Sequence, residues 1–308
     1  MRREQAVVGV CGIVALAIGC ARQASSPGPR FDAVRLSRGA GIRSYIFESV
    51  ERNPAGAGRL RVSVTLVTAP DGSETARLTN VERSKNVASE PAPVAIDSTC
   101  RRLAGADGGE FARISITPPA PIDRLLPVCM PEDLFGAATD LLAIFMIQQQ
   151  PRFRARELTG PGASLPFPGY EATWTRPPAV IMARITSDSG RITVESVDAN
   201  LARIHWNSSP MTVRILRDIT PGTRALLYGT EWFAIRLDVD RRSGELQRAT
   251  TTVDSLSLAM FSPFSGDRIP DVPPAGRGFP VTIQRSLSLV RVADGPLSPP
   301  SHRPSRTR

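Results

Sequence analysis

The sequence has very little histidine, and this scarcity excludes several kinds of active site. His205 and His302 are its only imidazoles, so the count leaves no room for a metal centre with two or three histidine ligands in a folded region. A Ser-His-Asp triad would have to use His205, and no Gly-x-Ser-x-Gly motif supplies a serine. We therefore expect His205 to be an ordinary strand residue, and we predict no catalytic residue, no metal and no cofactor.

Lysine is also nearly absent. The formal net charge is +9, but Lys85 is the single lysine and the arginines are scattered along the chain. Because nucleic-acid binding needs basic residues grouped on one surface, this distribution predicts no nucleic-acid partner. Three arginines lie in the Pro/Ser-rich tail over residues 296–308, which we expect to be disordered, although it could also contact anionic lipid or peptidoglycan.

Other short motifs do not form a recognisable site. The glycine-rich stretch 105–109 lacks the lysine and the following helix of a phosphate-binding loop. Asp188-Ser189-Gly190 has the residues of an aspartic-protease triplet, but no second copy is present to share a proton. Both stretches are typical of turns.

The N-terminus has a short uncharged run. Ala6 to Gly19 follow two arginines, and these fourteen residues are too few to span a bilayer, so residues 1–19 are predicted to be an export signal. Leu16-Ala17-Ile18-Gly19-Cys20 resembles a bacterial lipobox, which implies lipidation of Cys20 and a membrane anchor. Residues 20–40 would then be the lipidated N-terminus and a flexible tether. Ala21 in place of aspartate favours the outer membrane, facing the periplasm; plain secretion or an uncleaved anchor are the alternatives.

Few cysteines remain after export. Cys11 leaves with the signal and Cys20 would carry lipid, so the folded part keeps Cys100 and Cys129. An even pair in an exported chain predicts a disulfide. A metal or reactive-thiol role is the weaker alternative, because neither cysteine has a C-x-x-C partner.

The first folded region, residues 41–130, has strand periodicity. Leu60, Val62, Val64 and Leu66 alternate with polar residues, which predicts a strand with one buried face. Pro70-Asp71-Gly72 supplies a turn to the next strand. Further strands are predicted around residues 45–50, 75–81 and 110–117.

The period then changes to that of a helix. Residues 131–150 form one amphipathic segment that begins at Pro131-Glu132-Asp133 and ends before Pro151. We expect the helix to cover the sheet. Alternatively it is the wall of an apolar cavity, in which case its ligand contacts would be Leu141, Leu142, Phe145 and Met146.

The second β region, residues 151–295, opens with a loop rich in Gly and Pro up to Gly169. Strands are predicted at about 172–176, 180–185, 191–197, 201–206, 212–217, 230–240, 245–254 and 279–292. Hairpin turns are expected at Asp188-Ser189-Gly190 and at Arg242-Ser243-Gly244-Glu245. The fold class is thus mainly β, with two antiparallel, curved, half-barrel-like sheet regions joined by one amphipathic helix.

Two stretches carry a resemblance. Gly169-Tyr-Glu-Ala-Thr-Trp-Thr175 and Phe233-Ala-Ile-Arg-Leu-Asp-Val-Asp-Arg-Arg-Ser-Gly-Glu-Leu246 resemble uncharacterised exported bacterial lipoproteins with two β-rich halves. The layout is distantly similar to that of periplasmic lipid carriers. The sequence contains no catalytic constellation, and a twisted sheet faced by a helix encloses a space that must be packed or occupied. We therefore expect a non-catalytic envelope protein that binds an apolar, lipid-like ligand or another envelope component. The alternatives are a glycan hydrolase with a carboxylate pair, or a glycan surface if Trp174, Trp206 and Trp232 share an exposed face.

Overall fold

A computed structural model describes residues 39–116, 126–127, 129–149, 160–176, 180–208 and 210–292. The predictions for the export signal, Cys20, the tether before residue 39 and the tail over 296–308 lie outside these residues. The described residues form twelve β-strands and two α-helices: β1 (Gly41–Asn53), β2 (Gly56–Thr68), β3 (Glu74–Ser84), β4 (Ala92–Pro93), α1 (Ser98–Leu103), β5 (Ala112–Ser115), α2 (Glu132–Gln149), β6 (Ser164–Arg176), β7 (Val180–Val197), β8 (Leu201–Ser208), β9 (Met211–Thr220), β10 (Thr223–Asp240), β11 (Leu246–Phe261) and β12 (Phe279–Arg291).

All twelve strands pair antiparallel in one sheet. The order is β4-β3-β2-β1-β12-β11-β10-β8-β7-β6, with β5 on β3 and β9 between β7 and β10. The two β regions separated in the sequence are therefore hydrogen-bonded to each other through β1 and β12, where Phe47 lies opposite Leu289. Strands β8 and β9 lie end to end between β7 and β10. The first part of β7 and the first part of β10 pair with β9, and the last part of each pairs with β8.

The predicted turns at the ends of β2 and β10 are confirmed. Gly72 has a φ of 83° and its amide donates to the Ala69 carbonyl, and Gly244 has a φ of 72° and donates to Asp240. Both glycines adopt the left-handed conformation that a side chain disfavours. Asp71 and Asp240 accept backbone hydrogen bonds inside their own turns.

The hairpin predicted at Asp188-Ser189-Gly190 is wrong, because this stretch lies inside the single long strand β7. The expected loop up to Gly169 is also a strand, since β6 begins at Ser164 and pairs with β7, with Pro168 opposite Ser189. β6 is at the end of the sheet order, and an edge strand tolerates prolines because one side of its backbone needs no ladder partner. Both stretches have residues typical of turns, but pairing between β6 and β7 makes them strands.

The predicted helix is confirmed as α2. It packs against the sheet, where Phe145 meets Tyr45 edge to face at 5.7 Å between ring centroids. We call this side of the sheet the inner face and the opposite side the outer face. The buried positions of α2 cover about two-thirds of its circumference at 100° per residue, more than the one-sided stripe expected of an amphipathic surface helix.

The predicted disulfide is also confirmed. Cys100 and Cys129 are bonded with their Cα atoms 5.9 Å apart. The bond joins α1 to the segment just before α2. The short helix α1 is not expected from the sequence, and Asp97 caps it by accepting from the Cys100 amide at 2.8 Å.

Candidate ligand-binding surface

The inner face has a second apolar cluster that contains no residue of α2. Four of its members are buried: Val213, Ala225, Leu227 and Leu258. Five partly buried side chains pack on them: Ile185, Ile215, Leu256, Met260 and Val281. The large core cluster, in contrast, includes α2 and the strands that it covers. The second cluster is therefore an extension of the inner face whose outermost apolar side chains still meet solvent.

Strand pairing places these residues on one side of the sheet. Leu227 of β10 lies opposite Ile215 of β9 and opposite Met260 of β11. Leu258 of β11 lies opposite Val281 of β12. Because directly opposed residues share a face, the side chains form one continuous patch across at least four strands.

A groove continues from this patch. It has a volume of about 520 Å³ and is lined by Met260 together with the aromatic rings of Phe261, Phe264 and Phe279. Phe279 is 63% exposed. Phe261 and Phe279 flank the Pro/Gly-rich segment 262–278 and Phe264 lies within it. Asp271 of that segment lies 3.4 Å from Arg184 on the outer face. Asp271 therefore holds this part of the segment against the outer face, on the opposite side of the sheet from the patch.

A charged cluster lies where α2 meets the second apolar cluster. Arg285 of β12 contacts three carboxylates: Glu231 of β10 at 3.0 Å, Asp254 of β11 at 3.2 Å and Asp140 of α2 at 3.4 Å. We call these four residues the Arg285 cluster. The guanidinium lies against one turn of α2, because a Cβ at Gly136 would be 4.0 Å from Arg285 Nη1. The carboxylate side chains are 0–11% exposed and that of Arg285 is 22% exposed.

Burial controls the acid–base behaviour of this cluster. It raises the pKa of Asp140 to about 6 and that of Asp254 to about 7, although the charge of Arg285 acts in the opposite direction. Glu231 and Glu51 add to the pKa rise of Asp140 through repulsion. Burial also works to lower the pKa of Arg285, but the charges of the three carboxylates outweigh it and raise that pKa. The cluster therefore has more negative than positive charge when all its groups are ionised.

The carboxylates of the Arg285 cluster can be compared with those that the alternative function, a glycan hydrolase, would need. A glycosidase needs two carboxyl groups on opposite sides of a bound sugar. Here the three carboxylates converge on one guanidinium and are almost fully enclosed. This geometry favours an enclosed polar cluster over a carboxylate pair presented to a glycan.

The sequence analysis did not identify the Arg285 cluster, although two of its residues occupy positions where the strand pattern predicts apolar side chains. Glu231 precedes Phe233 and Ile235 at alternate positions of β10, so its side chain lies on the same face as theirs, which are buried on the inner face. Arg285 likewise lies on the same face of β12 as the buried residues Leu287 and Leu289. A charged residue at an apolar position of a period-two pattern marks a buried polar group.

Three of the four helix residues proposed from the sequence as ligand contacts, Leu141, Leu142 and Phe145, lie in the large core cluster. Leu141 and Phe145 are fully buried and Leu142 is 5% exposed. Their neighbours there are protein side chains such as Tyr45. The side chain of Met146 is outside the described set, and a ligand contact for any of the four stays a prediction.

The three tryptophans do not share an exposed face. Trp206 is 4% exposed on the inner face and packs edge to face on Phe233 at 5.3 Å. Trp174 packs against the large core cluster, whereas Trp232 is 50% exposed. A glycan surface made of all three is therefore excluded.

His205 has polar neighbours. Its Nε2 lies 3.1 Å from the Thr252 hydroxyl, and its Nδ1 is 3.9 Å from Glu195, which forms a 2.8 Å ion pair with Arg236. These groups are part of the polar outer face. Within the described residues, no set of three or more His, Cys, Asp and Glu side chains is arranged to bind a metal ion.

Neither described helix has the length and apolarity that crossing a bilayer requires. Comparison of the chain with protein-family models, with curated proteins and with solved structures finds no match.

Proposed function

We propose that this chain is a lipid-anchored protein of the bacterial cell envelope, held at the outer membrane through Cys20, that binds an apolar, lipid-like ligand without catalysing a reaction. The ligand would lie on the second apolar cluster. The observation that carries this proposal is the patch of five partly buried apolar side chains on the inner face, of which all but Ile185 pack on the second apolar cluster alone.

The energetics support a ligand of this class. Burying one partly exposed leucine or methionine completely contributes about 1 kcal/mol, a fraction of the full transfer value. Five such side chains contacting one acyl chain would together contribute about 5 kcal/mol, which by itself corresponds to a dissociation constant of roughly 0.2 mM. An extended apolar molecule fits the patch better than a compact one, since the patch crosses neighbouring strands and continues into the groove at Met260.

Binding is tested with the protein exported and purified from a bacterial host. Native mass spectrometry should show a co-purified adduct in the lipid mass range, and an environment-sensitive probe such as 1-N-phenylnaphthylamine should gain fluorescence on mixing. Leu256→Ser, in the patch, should weaken probe binding about tenfold. Val253→Ser is the matched control, because Val253 is on the same strand, is 46% exposed and is not a member of either apolar cluster.

A bare mass together with no probe fluorescence would refute ligand binding. Equal weakening by Leu256→Ser and Val253→Ser would place the probe elsewhere. The anchor is tested separately: Cys20→Ser should move the protein from the membrane fraction to the soluble fraction, and a variant that still sediments with membranes would contradict lipidation at this position.

A further inference from the structure

A group of apolar side chains also lies on the outer face, at the end of the sheet where β1 begins and β12 ends. Ile42 of β1 lies opposite Val67 of β2, and Ile46 of β1 lies opposite Val290 of β12. The Val292 amide donates to the β1 carbonyl midway between Ile42 and Ile46. These side chains are therefore neighbours across three strands. We call the five residues the outer patch: Ile42, Ile46, Val67, Val290 and Val292.

The outer patch is on the side of the sheet away from α2, and it is open to solvent. Tyr45 and Phe47 of β1 are buried on the inner face, so the residues that alternate with them point outward. Ile42 is 60% exposed, and Val290 and Val292 are each 42% exposed. Contiguous exposed aliphatic side chains of this kind mark surfaces that contact a protein or a membrane.

On the basis of the lipid anchor in the proposed function, we propose that the outer patch is a membrane-docking surface that rests in the interface of an anionic phospholipid bilayer. The anchor at Cys20 would hold the folded region near the bilayer, and the outer patch would set the orientation in which it lies there. The proposed ligand would keep its own surface, because the second apolar cluster is on the inner face.

The position of the anchor is the first reason. Cys20 lies nineteen positions before Gly39, and β1 begins two residues later at Gly41. Nineteen residues reach at most about 65 Å even when fully extended. A surface at the start of β1 is therefore always close to the bilayer, and this confinement gives weak apolar contacts with lipid a high effective concentration.

Charge complementarity is the second reason. Arg248 is exposed and lies opposite Val290 on the same face. Glu48 on this face is paired with Arg61 at 3.5 Å, so these three charged residues together carry a net positive charge. The stretch that follows the outer patch in the chain, residues 293–308, adds three arginines and a single acidic residue. Basic residues beside an apolar surface favour anionic lipid head groups.

The orientation is tested with the anchored protein in vesicles of phosphatidylethanolamine and phosphatidylglycerol. The mature anchored chain has no free thiol, since lipid occupies Cys20 and a disulfide joins Cys100 to Cys129. The dye NBD is therefore attached to one added cysteine. Lipids with a spin label on the acyl chain should quench the dye on Val290→Cys about twofold.

Thr282→Cys is the matched control for this label. Thr282 is exposed on the same face of the same strand as Val290. It lies eight residues before Val290, which is about 26 Å at 3.3 Å per residue. The dye at this position should not be quenched.

A second measurement removes the anchor. The Cys20→Ser chain should still bind the same vesicles in a sedimentation assay, and adding Ile42→Ser and Val292→Ser should lower its partition coefficient about tenfold. Val253→Ser is the control, because Val253 is 46% exposed and lies outside the outer patch. Vesicles of phosphatidylcholine, which has no net charge, should bind the Cys20→Ser chain severalfold less. Thermal melting confirms that each variant is folded.

The outcomes separate this inference from the proposed function. If the unaltered chain carries no lipid and stays soluble, the proposed anchor fails, and vesicle binding by the Cys20→Ser chain decides on the outer patch by itself. If the dye is quenched equally at both positions or at neither, or if the serine substitutions leave partition unchanged, docking is refuted while the anchor stands. A dimer that Ile42→Ser dissociates, with no vesicle binding, would also refute docking and assign the outer patch to a second copy of the chain.

Discussion

The two halves of the inner face differ in what covers them. In one half, α2 lies over the strands, and the core there includes fully buried side chains from both, such as Leu141 and Phe47. In the other half, the second apolar cluster has four buried members and five that are only partly buried. The same strands, β10, β11 and β12, contribute to both halves, so the difference arises from the covering element and not from the sheet.

This contrast separates residues that stabilise the fold from residues that are free to bind. A fully buried side chain has already contributed its transfer free energy to folding, and a ligand can add nothing to it. A partly buried apolar side chain still loses water when a ligand covers it. The boundary between the two regimes is the Arg285 cluster, which joins α2 to β10, β11 and β12.

The largest expected effect comes from removing the charge at that boundary. Arg285→Met should lower the free energy of unfolding by about 3 to 5 kcal/mol at pH 8, because three enclosed carboxylates lose their counter-charge. Arg236→Met, which breaks the half-exposed ion pair with Glu195 on the outer face, should cost less than about 1 kcal/mol. Urea unfolding of both variants measures the difference, and similar losses would show that the Arg285 cluster is not a buried charge centre.

A matched pair of leucines tests the two halves themselves. Leu141→Ala, under α2, should cost about 3 kcal/mol because it leaves a cavity in a packed core. Leu256→Ala, in the second apolar cluster, should cost about 1 kcal/mol, since that site is already partly open to water. Chemical denaturation measures both; equal costs would mean that the second cluster is packed as fully as the core.

The pH dependence of the unmodified protein tests the boundary between the two halves without any substitution. Folding raises the pKa values of Asp140 and Asp254 to about 6 and about 7, so the folded state binds protons more tightly than the unfolded state. This stabilisation is complete below pH 4 and is lost as pH rises through 6 and 7. From pH 5 to pH 8 the free energy of unfolding should fall by on the order of 4 kcal/mol.

The carboxylates with lowered pKa values, such as Asp240 and Glu195, titrate below this range and do not mask the trend. Asp254→Asn should flatten it. A free energy of unfolding that rises between pH 5 and pH 8 would contradict the assignment of raised pKa values to these two aspartates.

Much of the fold follows from local patterns in the sequence. The alternation of Leu60, Val62, Val64 and Leu66 predicted β2 and its buried face, and all four are at most 3% exposed. The helical spacing after Pro131 predicted α2 within one residue at each end. Periodicity succeeds here because a strand or helix buries the side that its own repeat makes apolar.

Patterns failed where a distant partner decided the outcome. The prolines and glycines of β6 and the triplet at Ser189 look like loops, yet the two segments pair with each other, Pro168 opposite Ser189. The candidate site depends on longer separations still: Asp140 and Arg285 are 145 residues apart in the chain. The periodicity of side chains within one segment does not indicate which charged residues will contact each other across a sheet.

The sequence by itself determined the mainly β class, the single long helix, the two glycine turns and the disulfide, because each depends on neighbours along the chain or on a pair with no competitor. Only the tertiary structure decided that the two β regions form one sheet, that α2 covers part of its inner face, and that one arginine and three carboxylates meet at the edge of that cover. Those outcomes depend on strand pairing and on the register between segments far apart in the chain, which side-chain pattern within a segment does not specify.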